Sequence, residues 1–519
     1  MTIPINGLPL TDLHSIWPGW TTKIRLDRLI EMATTVHTAE GHLLTLWCTD
    51  ERQQENAFQL HLIFIFWQQG LLHVQCALSS TDPHYPDLSQ LFPSAQRMQR
   101  AWFDLLGVRA EGAPDQRSWL RHGAWPVEVF PLRNDIALTS QSLNKGDHYS
   151  FIRVGGEGVH EIPVGPVHAG TIEPGHFRFQ VVGERILRLE ERLGYAHKGI
   201  AKQFQHRTFK EGAKLAGRIS GDSTVAYAWA YSMAIEHLQQ QNAPQRALWL
   251  RALLLERERI MNHLGDLGAL GNDAGFSQGL TQFSCLKENM LRINEQIFGH
   301  RYLMDLIVPG GVARNFYSHD LTVLQQEIPI LQKQIHILCS IYAKHNGLQD
   351  RFLTTGRVTK ELAKKLGLIG FSARASGLSH DWRKDFSHAP YSQANFGKPC
   401  FETEGDVAAR VSLRFREIDE SWYLTEYLLK QLAIDNGSMQ RQLPLLAQVG
   451  IGFGCVEGWR GPILIAVGNE DSQHIRWAHV HDPSWQNWPA LEHAVIGDIV
   501  PDFPLINKSF NLSYSGHDL

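Results

Sequence analysis

The sequence predicts an α+β protein in which an N-terminal α/β domain precedes a mainly α-helical domain that opens on short β-strands. Three observations carry this. Between residues 43 and 79, β-branched and aromatic runs flank the short turn Gln68-Gln69-Gly70, the pattern of a hairpin. Residues 162–189 alternate as short strands do, and from about Leu193 the apolar spacing changes to that of long helices.

In chain order, a helix-like start over 24–35 leads into strands 43–48, 58–67 and 71–79. A helix over 94–106 then stops at Gly107, a glycine suited to the left-handed turn that ends helices. Residues 113–135 are rich in Pro, Trp and Arg and read as an extended strap laid over another surface. The domains expected are 1–135, a glycine-punctuated linker over 136–160, and 161–519. Helices are expected over 221–240, 244–267, 283–306, 321–345 and 404–434. In the second of these, Leu248, Leu250, Leu253, Leu254, Ile260 and Leu264 fall mostly on one side, with Arg251, Glu256, Arg257 and Glu258 as charged neighbours.

Composition excludes several classes. The 519 residues carry a net charge of −4, which gives no basic field for nucleic acid. The strongest apolar run, residues 62–67, is far below the roughly 20 residues of a membrane span. No basic, apolar leader opens the sequence, so a cytoplasmic protein is expected. The cysteines at 48, 76, 285, 339, 400 and 455 have no metal-finger or cluster spacing and are expected to be reduced and buried. Ile451-Gly452-Phe453-Gly454 lacks the third glycine of a dinucleotide fingerprint.

Glu173, beside the turn Pro174-Gly175, reads either as a solvated loop acid or as a proton-relay acid. His168, His176 and His197 lack a metal-ligand frame and read as core or capping residues. Arg460 falls on a loop between apolar strands, and Ser220 or Asp222 reads as a helix N-cap.

At these residues the chain resembles a family. Val164-Gly165-Pro166-Val167-His168-Ala169-Gly170, Glu173-Pro174-Gly175-His176-Phe177-Arg178 and Gly194-Tyr195-Ala196-His197-Lys198-Gly199 resemble the large subunit of membrane-bound, energy-converting nickel–iron hydrogenases of the formate hydrogenlyase type. That subunit is similar to the 49 kDa subunit of respiratory complex I. The likeness continues through 251–265, Arg374-Ala375-Ser376-Gly377, Glu404-Gly405-Asp406-Val407 with Arg410, Glu457 with Arg460-Gly461, and Asn487-Trp488-Pro489. The first domain, with Pro114-Asp115-Gln116-Arg117 and Phe130-Pro131-Leu132-Arg133, resembles the 30 kDa subunit; Gln99-Arg100-Ala101-Trp102-Phe103-Asp104 departs from the family's more charged run there.

The resemblance implies a fused large subunit in a membrane-associated oxidoreductase complex, at the junction of its electron-transfer and ion-translocating parts. It would pack against a small iron–sulfur subunit that holds the cluster, and against antiporter-like membrane subunits, peripherally on the cytoplasmic face. Four thiolates hold nickel and iron in the hydrogenases, as such soft centres require. The matching positions here are Ser220, Ser223, Ser513 and Gly516, so no nickel–iron centre is expected and no cofactor in this chain. The sequence also carries no stretch past Leu519 like the one many hydrogenases remove after nickel insertion. Around the vacated site Glu173 matches a proton-gating acid, Arg460 an overhanging arginine, Asp381 and Asp406 nearby polar positions, and Glu173 with Arg218 is expected to frame the cavity. Two rival readings follow from the same resemblance: a quinone-reducing subunit, although the family's quinone-binding His and Tyr positions hold Pro174 and Gly221, and a structural or assembly subunit.

Overall fold

A computed structural model describes residues 10–12, 17–135, 148–168, 172–314, 316–386, 388–394, 396–446 and 449–519. The expected linker residues 136–147 and the motif residues Ala169 and Gly170 lie outside them.

The α+β expectation holds. The hairpin of Ala57–Phe66 and Gly70–Leu78 forms the centre of a five-stranded sheet, with His42–Glu51 beyond Ala57–Phe66 and Gly19–Ile24 pairing parallel to Gly70–Leu78. Nearly every residue of the central strands is buried, which explains their continuous rather than alternating apolar runs. The Leu29–Thr38 helix starts later than the sequence suggests, because residues 19–24 are already committed to the sheet. The Ala95–Leu106 helix stops at Gly107, whose φ of 72° is left-handed.

The strap is fastened near its start and, through Asn134 to Asp50, at its end. One Asp104 carboxylate oxygen accepts from the backbone N–H groups of Trp119, Leu120 and Arg121 at 2.6, 2.7 and 3.3 Å. Arg117 then pairs with Glu190 at 2.6 Å, and Arg97 with Glu191 and Glu492 at 2.9 and 2.8 Å. These bonds join the first domain to the second sheet, Val159–Val164, His176–Val182 and Arg185–Arg192.

A third sheet, the meander Ile451–Glu457, Pro462–Asn469 and Ile475–His481, carries the buried helix Thr224–Leu238 on one face. Gly452 and Gly454 permit this: a Cβ at either would stand 2.0 Å from the carbonyl oxygen of Ala234 or Ala230. Those glycines therefore serve close helix–sheet packing and not a nucleotide. Trp47 of the first domain stacks between His61 and His479, centroids 4.7 and 4.6 Å away, tying the first sheet to the third.

Four long helices, Gln245–Asp273, Ser277–Phe298, Ser318–Lys344 and Val407–Ile434, build the bundle. The charged neighbours of the first are buried and paired. Arg251 pairs with Glu236 at 2.6 Å, Arg257 with Glu327 at 2.7 Å, and Glu256 with Arg259 and Arg383 at 3.2 and 3.1 Å. Cys48, Cys76 and Cys455 are buried as expected, whereas Cys285 is exposed on a helix face turned to solvent.

Candidate functional site

The second sheet, the loop before Thr224, two bundle helices, the Gly458–Gly461 turn and the C-terminal helices Phe503–Phe510 and Tyr514–Asp518 enclose a cavity of about 670 Å³. Glu173, Ser220, Asp222, Lys287, Arg460 and Ser515 are among its lining residues.

The structure brings the four expected ligand positions together, although 293 residues separate the two halves. Ser220 Oγ lies 3.2 Å from Ser513 Oγ, which accepts from the backbone N–H of Gly516 at 2.8 Å. Ser220 and Ser223 donate to Asp222 Oδ1 at 2.7 and 3.3 Å. Ser223, not Ser220 or Asp222, is the N-cap residue of the following helix, and its side chain makes no cap bond. The free N–H groups of Val225 and Ala226 are satisfied instead by Glu258, at 2.7 and 3.2 Å. No local sequence signal marks that partner, which comes from another helix.

Arg460 grips Asp222 with two parallel bonds, 3.0 and 2.6 Å, and donates from Nε to the Asn511 carbonyl at 2.5 Å. Its guanidinium lies over Trp459, 3.9 Å from the ring centroid. Burial works against the Asp222 carboxylate, but the Arg460 guanidinium and the serine hydroxyls outweigh it and hold the pKa down at about 2. Next to this pair, Tyr227 donates to Asp482 at 2.5 Å, and both are buried. A Cβ at Gly516 would stand 2.6 Å from both of those oxygens and 2.8 Å from Ser513 Oγ.

These donors do not fit a nickel–iron centre. Serine hydroxyls stay protonated and are poor partners for soft metals. A side chain at the fourth position would have to displace Tyr227 and Asp482, and an ion pair with its own complement of hydrogen bonds lies among the other three.

Glu173 is exposed at the cavity wall, where its Oε2 accepts from the Ser515 N–H at 3.0 Å. His168, His176 and His197 each bond a carbonyl, those of Gly175, Gly165 and Asp518, and do not converge. Three expected cavity residues lie elsewhere. Arg218 does not frame the cavity but forms a surface pair with Asp305, two bonds of 2.6 Å. Asp406 caps the Val407–Ile434 helix through Ala409 N–H at 2.8 Å. Asp381 sits in the buried network of Arg383, Arg374, Glu457 and Glu417. Both aspartates satisfy cations and helix ends that only the fold brings near them, and neither lines the cavity.

Comparison with known proteins accounts for this architecture. Residues 22–142 match the model of the respiratory-chain NADH dehydrogenase 30 Kd subunit, and residues 273–449 that of the 49 Kd subunit. The chain is a fusion of complex I-type 30 kDa and 49 kDa domains. This fused subunit is 27% identical to formate hydrogenlyase subunit 5 of Escherichia coli, across 98% of this chain and 92% of that one. Hydrogenase-4 component G of the same organism is 28% identical, with 92% and 84% covered. An NADH-quinone oxidoreductase subunit of Bacteroides thetaiotaomicron is 27% identical, with 73% and 74% covered. Among solved structures, a chain of the membrane-bound sulfane sulfur reductase, an archaeal respiratory membrane complex, superposes with a TM-score of 0.65 at 25% identity, over 70% of this chain and 99% of that one. No helix among the described residues is long and apolar enough to cross a membrane.

Proposed function

We propose that the fused subunit is the large subunit of a membrane-associated oxidoreductase complex of the complex I and hydrogenase type, working without a nickel–iron centre. It joins the electron-transfer part to the ion-translocating part, docks peripherally on the cytoplasmic face, and packs against a small subunit that carries an iron–sulfur cluster. Two relatives aligned over 98% and 92% of the chain, and a solved structure over 70% of it, support the assembly.

The observation that carries the metal-free reading is the Asp222–Arg460 pair set among Ser220, Ser223 and Ser513, with Gly516 closed against a fourth ligand. Within that reading Glu173 exchanges protons between solvent and the cavity wall, and Arg460 fixes the charge of Asp222 at neutral pH. Quinone reduction has less support. At the helix-start position Gly221 leaves open space where a side chain would point, so the hydrogen-bonding group expected for a quinone head is missing there.

Affinity purification of the tagged chain from gently solubilised membranes tests the assembly. A small iron–sulfur protein and integral membrane proteins are expected in constant ratio with it. Recovery of the chain alone, with all of it in the soluble fraction, would contradict the proposal.

A further inference from the structure

One cation of the cavity wall makes no direct ion pair among the described residues. Asp222 is held by Arg460 and two serines. Asp266 receives two Arg414 nitrogens on one oxygen, at 3.0 and 2.9 Å, and Asn511 and Lys508 on the other, at 2.7 and 3.3 Å. Lys287 has no such partner: among the described residues, no carboxylate comes within 4.0 Å of its Nζ, although the same cavity wall carries it.

Its position is built. From the Ser277–Phe298 helix the ammonium reaches across to the Gln245–Asp273 helix at Gly265, where a Cβ would stand 2.9 Å from Nζ. Burial lowers the Lys287 pKa, Asp266 and Asp222 oppose that, and Lys508 adds to it. Of the remaining acids on the wall, Glu173 sits at the exposed rim bonded to Ser515, and Asp273 makes no ion pair with Lys287.

We propose that the cavity binds a small anion, an oxyanion or carboxylate, on the Lys287 and Lys508 ammonium groups. This rests on the metal-free reading of the same cavity. Lys287 supplies a charge without a direct partner, Lys508 shares its own with Asp266, and Phe177, Phe503 and Leu512 line the wall beside them.

The test uses the purified full chain, assayed first for nickel, then titrated with thiosulfate and with acetate at constant ionic strength, acetamide serving as the neutral control. Calorimetry and melting temperature are the readouts. At least one anion is expected to bind saturably and raise the melting temperature, with acetamide inert. Lys287→Met should weaken binding at least tenfold while Lys287→Arg retains it; Gly265→Ala, which crowds the ammonium without removing it, should weaken binding as well. Metal-free chain that binds neither anion, or a Lys287→Met variant with unchanged affinity, overturns this inference and leaves the subunit assignment standing. One nickel per chain overturns the metal-free reading and this inference with it.

Discussion

Replacing Gly516 with alanine separates a filled ligand position from an open one. Gly516 lies in the Tyr514–Asp518 helix with no left-handed φ, so by backbone preference alone alanine should stabilise by about 0.5–1 kcal/mol. The new Cβ, however, would stand 2.6 Å from Tyr227 Oη and Asp482 Oδ2. The Tyr227 ring is buried, and Asp482 is pinned by the Ser484 N–H at 2.7 Å. Relieving the contact means parting a hydrogen bond to a charged group, worth about 1.5–3 kcal/mol, with overpacking of about 1–3 kcal/mol besides. The net expectation is a loss of about 1.5–5.5 kcal/mol, read as a drop of several degrees in thermal unfolding followed by near-ultraviolet circular dichroism. In a Tyr227→Phe background the same substitution should cost about 1–2 kcal/mol less, because the hydroxyl is gone. A Gly516→Ala variant that melts at or above the parent temperature would refute the reasoning, since it would mean that the fourth position has room for a ligand.

Burial pushes the pKa of His73 and His481 down to about 3 and those of His61 and His479 well below the ordinary value, so all four are neutral in the folded chain. Their stability contribution is intact above the unfolded pKa of about 6.5 and is lost as pH falls toward about 3, at roughly 1.4 kcal/mol per histidine per pH unit. Acid unfolding, followed by ellipticity, is therefore expected to be steep between about pH 5 and 4, and a chain still native at pH 3 would contradict it. Arg374→Met leaves Glu417 and Glu457 without their shared cation and should cost about 3–5 kcal/mol in chemical denaturation; a change below about 1 kcal/mol would show that the network is not desolvated. Asp104→Ala frees three strap N–H groups, and limited proteolysis should then cut within residues 113–135; an unchanged digestion pattern would show that the strap is held elsewhere.

The hairpin, the helix ending at Gly107 and the bundle helices were legible because each is written locally, in turn residues and apolar spacing. The four positions matched to the family's metal ligands were legible only through resemblance, and the fold brings them close together. What the sequence hid was set by partners far along the chain. Leucine spacing in residues 246–267 showed a bundle helix with charged neighbours but not their partners: Arg383, Glu236 and Glu327 meet those charges from other elements and let them be buried. The resemblance placed Asp381 and Asp406 at the cavity, whereas their partners lie elsewhere in the fold, and Tyr227, Asp482 and Lys287, which do shape the site, carried no local signal. Gly452 and Gly454 looked like a failed phosphate loop because a close helix crossing leaves no other mark in sequence.

Nickel and iron in the complex purified from membranes, measured by inductively coupled plasma mass spectrometry against subunit stoichiometry, test the central claim most directly. The account predicts no nickel, and iron only in the amount that the small subunit's cluster explains. One nickel per complex, lost on mutating Ser220 or Ser513, would contradict it.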